Sequence, residues 1–315
     1  MILEEKYTLS NGIKIPKIGL GTWFISNKNA AQSVKNAVKV GYRHIDTAQA
    51  YFNEKGVGEG IRTCGVSRDS LFVTTKVGAG VKSYKKAVAS IKKSLKALQL
   101  DYIDMMIIHS PQPWTKFHGK DSYFEENREV SKALEEAYNA GKLHAIGLSN
   151  FEKADIDNIL ESCTVKPMVN QILVHISNTP KELIQYSQEK GILVEAYSPI
   201  AHGELMKNNE VKKIAEKYDV SIPQLSIRYD LQLGLLPLPK TENPEHMKND
   251  ADVDFTISEE DMQFLKNVEK IKDYGDASAM PVFGGRLNLK SIFSIVFKRH
   301  KKKSQNQNNE TGSNN

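Results

Sequence analysis

The chain has 315 residues, of which 40% are hydrophobic, with 43 basic and 38 acidic side chains for a formal charge of +5 and only two cysteines. A mean hydropathy of −0.45 and the lack of any apolar run of about 18 residues exclude a spanning helix, while Cys64 and Cys163 exclude a disulfide framework and read as reduced structural thiols. The charge does not point to nucleic acid, because Lys290, Lys298, Arg299, Lys301, Lys302 and Lys303 against Glu310 alone account for all of it and leave the preceding chain formally neutral.

The N-terminal MILEEKYTLS lacks the basic-then-apolar form of a signal peptide, so the cytoplasm is the expected compartment. KYTLSNGIKIP then places Asn11-Gly12 between two short extended runs and predicts a β-hairpin plugging one end of the fold. Apolar or β-branched runs at 18–22, 44–48, 71–77, 102–109, 144–149, 168–174, 193–198 and 235–239 predict eight strands. Between them lie segments with helical spacing: Ala87, Ile91, Leu95 and Leu98, then Val130, Ala133, Leu134, Ala137 and Tyr138 before Gly141. Such alternation favours a parallel sheet. Eight units in about 270 residues fit one α/β domain, a closed (β/α)8 TIM barrel over residues 1–290, better than two smaller domains. Residues 291–315 continue through SIFSIVFKRHKKK into SQNQNNETGSNN, a basic, Asn-rich tail too polar to pack and expected to be disordered. Its apolar-then-basic order also suits weak contact with an anionic membrane surface.

In a barrel of this type the active site lies at the C-terminal strand ends. Asp46 and Tyr51 in GYRHIDTAQAY, Lys76 in LFVTTKV and His109 in YIDMMIIHSPQPW all fall there. Taken singly, each has a plainer role: a helix cap, a solvated lysine, a structural histidine. Together they compose a carbonyl-reducing proton relay. A phenol is a weak acid, with an ordinary pKa of about 10, and a neighbouring cation favours its phenolate. Lys76 supplies that cation, Asp46 holds it, and His109 directs a substrate oxygen to the Tyr51 hydroxyl. No G-x-G-x-x-G, P-loop, H-E-x-x-H or zinc-spaced cysteine pair occurs, so no metal is expected and a Rossmann dehydrogenase is disfavoured.

From about residue 5 to 289 the chain resembles the aldo-keto reductase family, in particular its prokaryotic-type, 2,5-diketo-gluconate reductase-like members. The resemblance rests on GYRHIDTAQAY, TTK, IHSPQPW, GKLHAIGLSNF, VNQI, EAYSPI and LPKTENPEHMKND. It implies a catalytic tetrad of Asp46, Tyr51, Lys76 and His109, with Tyr51 as general acid in reduction, and a nicotinamide cofactor extended across the barrel mouth. Thr22 and Asp46 would approach the nicotinamide ribose, Ser149, Asn150 and Gln171 would bind the carboxamide, and Tyr197, followed by Ser198, would stack on the ring. Such a set matches an amide's need for donors and acceptors and an aromatic face that fixes a ring. Lys240 and Thr241 would face the adenosine 2′-phosphate. His246 stands where an arginine is common and Asp250 where an asparagine is common, which weakens phosphate recognition. NADPH is therefore expected, with NADH possible.

Trp23, Phe24 and Trp114 suggest an aromatic wall around the substrate carbonyl, with His109 between. The expected function is reduction of small aldehydes or ketones by a monomer; the alternative is a cofactor-binding, redox-sensing or regulatory subunit with slow turnover. A cofactor-independent barrel isomerase or aldolase leaves VNQI and SNF without a task.

Overall fold

The structure, a computed structural model, describes residues 1–285, and the tail expected over 291–315 lies outside them. Strands β1 (Lys6–Thr8) and β2 (Lys14–Pro16) pair antiparallel, Thr8 opposite Lys14. Between them Gly12 N donates to Leu9 O and Leu9 N to Ile13 O, each at 2.8 Å, with Gly12 at φ 86°. That left-handed position is unstrained only without a Cβ, so Asn11-Gly12 sets the hairpin. Leu9 and Ile15 are buried with Phe72, Met105, Met168 and Leu236, which makes the hairpin the stopper at the N-terminal end of the barrel.

Eight parallel strands follow, each beside its chain neighbour: β3 (Leu20–Gly21), β4 (His44–Asp46), β5 (Phe72–Val77), β6 (Ile103–Ile108), β7 (Leu143–Ser149), β8 (Val169–Leu173), β9 (Leu193–Tyr197) and β10 (Leu236–Leu238). Each lies within a predicted run or differs from it by one residue at an end. The first and last are joined through backbone, Gly19 N donating to Pro237 O at 3.2 Å and Gly21 N to Pro239 O at 2.9 Å. A Cβ on Gly21 would stand 3.1 Å from Leu238 O, so this close approach needs glycine.

The helices are α1 (Asn27–Val40), α2 (Glu54–Thr63), α3 (Tyr84–Leu98), α4 (Phe124–Asn139), α5 (Lys153–Leu160), α6 (Lys181–Glu189), α7 (Asn209–Lys217), α8 (Ile222–Gln232), α9 (Pro244–Ala251) and α10 (Glu259–Leu265). The predicted stripes of α3 and α4 face the sheet, Ala87, Ile91, Leu98, Val130, Ala133 and Leu134 all being buried. Side-chain alternation along the strands then decides what enters the barrel. In β5, Val73 and Val77 join the helix layer while Phe72 joins the inner core, so Thr74 and Lys76, in step with Phe72, point inward. The same alternation turns Ile45, Val194 and Ala196 outward and His44, Asp46, Glu195 and Tyr197 inward.

A satellite core forms from the segments after β8 and β9 and the last described residues, with Ile176, Leu205, Tyr229, Tyr274 and Phe283 among its members. The sequence reading placed neither α7 nor α10. Among the described residues no helix is long and apolar enough to cross a membrane.

Candidate active site

Asp46 ends β4, Lys76 is the penultimate residue of β5, and His109 follows β6 directly. Lys76 is fully buried. Its Nζ donates to both carboxylate oxygens of Asp46 at 2.6 Å and to Thr47 O at 2.9 Å, so all three ammonium donors are used inside the protein. Tyr51 ends a short 3-10 turn, Gln49–Tyr51, that folds back over the same mouth. Its ring centroid lies 5.0 Å from Lys76 Nζ and 5.8 Å from the His109 ring, which meets it edge-on.

Electrostatics differ from the simple expectation that Lys76 acidifies the phenol. Removal from water, reinforced by the charge of Asp46, pushes Tyr51 well above an ordinary tyrosine. The Lys76 hydrogen bonds go to Asp46 and Thr47, and the phenol stays protonated at neutral pH. Burial, then the Lys76 charge, holds His109 well below the usual histidine range, so its imidazole is neutral, with Nδ1 buried and without a hydrogen-bond partner.

Beside these four lies an amide and hydroxyl cluster. Thr22 Oγ1 donates to Asp46 O at 2.9 Å. Asn150, at φ 59°, donates through Nδ2 to His109 O at 3.2 Å and Ser149 Oγ at 3.0 Å, and accepts from Tyr197 Oη at 2.8 Å. The N-cap of α5 is Glu152, which leaves the Asn150 side chain to this cluster. Gln171 Nε2 donates to Asp46 Oδ2 at 3.0 Å and to Glu195 Oε2 at 2.7 Å, leaving its carbonyl oxygen as the group available to a ligand. Ser198 Oγ instead pairs with His202 Nε2 at 3.1 Å.

The residues expected at the adenosine end lie apart, after β10 and on α9. Lys240 and His246 are exposed and Thr241 is half-buried, its Oγ1 accepting from Asn243 N at 3.1 Å. Asp250 lies one helical turn after His246. It is 4% exposed, and burial raises its carboxyl to about 7, against the hydrogen bond from Asn249.

Trp23 stacks near Tyr51 at 6.4 Å between ring centroids, and Trp114 meets His109 edge-on at 5.2 Å, so two indoles flank the phenol and imidazole. Phe24 stacks on Trp23 at 4.3 Å. The sequence reading missed the outer part of this wall: His202 lies 5.3 Å and Phe283 6.0 Å from Trp23. It also missed His44 and Glu195 beneath Asp46. Glu195 stands in the quoted EAYSPI, two residues before Tyr197, and strand alternation alone would have turned it into the barrel.

A profile of the Aldo/keto reductase family matches residues 17–270 of this chain. The chain belongs to the aldo/keto reductase family. This aldo/keto reductase is 42% identical over 275 residues to the glyoxal reductase of Bacillus subtilis, across 87% of this chain and 96% of that protein. It is 37% identical to the 9,11-endoperoxide prostaglandin H2 reductase of Trypanosoma cruzi, across 85% of this chain and 93% of that protein. Among solved structures it superposes on a Bombyx mori aldo-keto reductase in complex with NADP, with a TM-score of 0.77, 31% identity and coverage of 87% of this chain and 95% of that one. The aldo/keto reductase described here is thus an NAD(P)H-dependent oxidoreductase that acts on carbonyl groups with a nicotinamide cofactor.

Proposed function

We propose that this enzyme reduces small aldehydes or ketones to alcohols with NADPH, Tyr51 acting as general acid. The observation that carries the reading is the meeting of the buried Lys76–Asp46 pair, the Tyr51 ring and the neutral His109 at one barrel mouth. The nicotinamide, when bound, supplies the hydride. The chain supplies the proton and its direction. Tyr51 holds its proton until a developing alkoxide is present, because burial makes the phenol a reluctant acid towards water but a sufficient one towards an alkoxide. The Lys76 charge then steadies the phenolate at the moment of transfer. His109, neutral, offers a ring N–H to the carbonyl oxygen, and Trp23 and Trp114 exclude water on either side.

The donor set fits the cofactor. The Gln171 carbonyl suits the N–H of a carboxamide, and Ser149 and Asn150 sit within the same hydrogen-bonded cluster. Tyr197 is anchored through its hydroxyl, which leaves its face to stack on a ring. Lys240 suits a 2′-phosphate and supports NADPH, while the exposed His246, where an arginine is common, leaves that preference weaker. Asp250, one turn after His246, is buried, and a carboxyl raised to about 7 opposes that phosphate less than an ordinary carboxylate would. Residues 1–290 would form the catalytic unit.

Loss of NADPH absorbance with aldehydes, dicarbonyls and keto-sugars tests the reading. The relative named glyoxal reductase makes dicarbonyls the first class to try. Tyr51→Phe should keep cofactor binding and lose reduction by a factor of about 100 or more. Turnover within a few-fold of the wild type in that variant would remove Tyr51 from the acid role.

A further inference from the structure

Glu195 is fully buried on β9, and nothing above gives it a task. A carboxyl in a barrel core is costly to bury, and an apolar residue would fill the space without that penalty. Its Oε2 accepts from Gln171 Nε2 at 2.7 Å, and the same nitrogen donates at 3.0 Å to Asp46 Oδ2. Asp46 in turn holds Lys76, so the chain Glu195–Gln171–Asp46–Lys76 is continuous. Among the described residues Glu195 Oε1 has no hydrogen-bond partner, and His44 Nε2 stands 4.0 Å from it.

We propose that Glu195 is a positioning residue that acts through Gln171: it fixes the orientation of the amide presented to the nicotinamide, and its carboxyl stands one amide away from the Asp46–Lys76 pair, where its charge bears on the reacting groups. The inference rests on the reductase reading above. An amide nitrogen has two hydrogens, and here two carboxyl groups take both. Gln171 therefore turns only its acceptor towards a ligand, and without Glu195 the amide would keep only one of its two anchors, Asp46.

The charge half of the inference follows from the groups that face Glu195. These are His44 and Asp46 from β4, Lys76 from β5 and the uncharged Gln171 from β8, while on β10 the residue opposite it is Leu236. Burial first, then the charge of Asp46, raises the Glu195 carboxyl to about 8, against the Gln171 hydrogen bond and Lys76. His44 cannot offset it, since burial and Lys76 lower that imidazole to about 3 and keep it neutral. Glu195 is thus uncharged at neutral pH and ionises in mildly alkaline solution. The added charge opposes formation of the Tyr51 phenolate, which slows proton donation, and it favours the cationic oxidised nicotinamide over the neutral reduced one.

The test measures the dissociation constants of NADP+ and NADPH by quenching of tryptophan fluorescence from about pH 6 to pH 10, together with kcat/KM for reduction. In the wild type the ratio of the NADP+ to the NADPH constant should fall about threefold or more as pH passes about 8. Glu195→Gln keeps an acceptor for Gln171 and removes the charge. Its ratio should be flat across that range, and the alkaline loss of kcat/KM should move to higher pH. Glu195→Met, an apolar replacement better suited to a core, should give the same flat ratio with weaker binding of both nucleotides, because one hydrogen of the Gln171 amide is left without an acceptor. Ratios that bend with pH in the variants as they do in the wild type overturn the proposal. The two readings separate cleanly: if no carbonyl is turned over, the reductase assignment fails while the nucleotide ratio still decides the role of Glu195.

Discussion

Removing the buried Lys76 does two separable things. Lys76→Met takes away the charge that steadies a Tyr51 phenolate, so turnover should fall at least as far as in Tyr51→Phe. It also leaves the buried Asp46 carboxylate without its cation, at a cost of about 3–5 kcal/mol in stability. Tyr51→Phe should show no comparable stability loss, and thermal unfolding of the two variants side by side checks this. At the adenosine end, His246 is exposed on the first turn of α9, where a guanidinium could reach a phosphate bidentately. His246→Arg should lower the Michaelis constant for NADPH by about tenfold more than that for NADH. Equal changes for the two nucleotides would count against a phosphate contact there.

The elements carry a different kind of constraint. Gly58 sits where α2 crosses the end of α3, and a Cβ there would lie 2.1 Å from Leu98 O. No side chain can move to relieve that contact, so Gly58→Ala should cost about 1–3 kcal/mol or more by driving the helices apart. Gly65 has open space around it and only a φ of 85° to object to a side chain, so Gly65→Ala should cost about 1 kcal/mol. Melting temperatures of the two variants give the comparison. The strands and the main helices were legible in the sequence because each carries a local pattern: a short apolar run bounded by polar residues, or a stripe such as Ala87, Ile91 and Leu98. The inward set at the mouth followed from chemistry and resemblance. Its supporting layer did not, because the pairing of Gln171 with Glu195 depends on the register between β8 and β9, which no local pattern states. Helices α7 and α10 and the Tyr274–Phe283 contact escaped for a related reason: they pack against one another in a satellite core and lack a stripe aimed at the barrel.

Across the whole molecule, buried histidines tie stability to pH. His175 is fully buried, its Nε2 3.1 Å from the Tyr274 hydroxyl, and burial lowers it from the ordinary 6.5 to about 4. The unfolded chain binds a proton there below about pH 6.5 that the folded chain refuses, so the contribution is whole above that pH and is lost as pH falls towards about 4. This amounts to about 3 kcal/mol, and His44 adds to it over a window that runs on down to about 3. The melting temperature should fall steadily between those limits, and His175→Gln should flatten part of the fall. An unchanged profile in that variant would mean that His175 does not titrate differently on unfolding. The hydrogen bonds of Gly19 and Gly21 to Pro237 and Pro239 bear on how the protein comes into being. By His109 a ribosome has already made all four residues of the Asp46, Tyr51, Lys76 and His109 group, yet the ring that holds them apart from water awaits a partner more than two hundred residues downstream of its first strand. A nascent chain can gather helices early, but its chemistry arrives late and all at once, when the last strand meets the first.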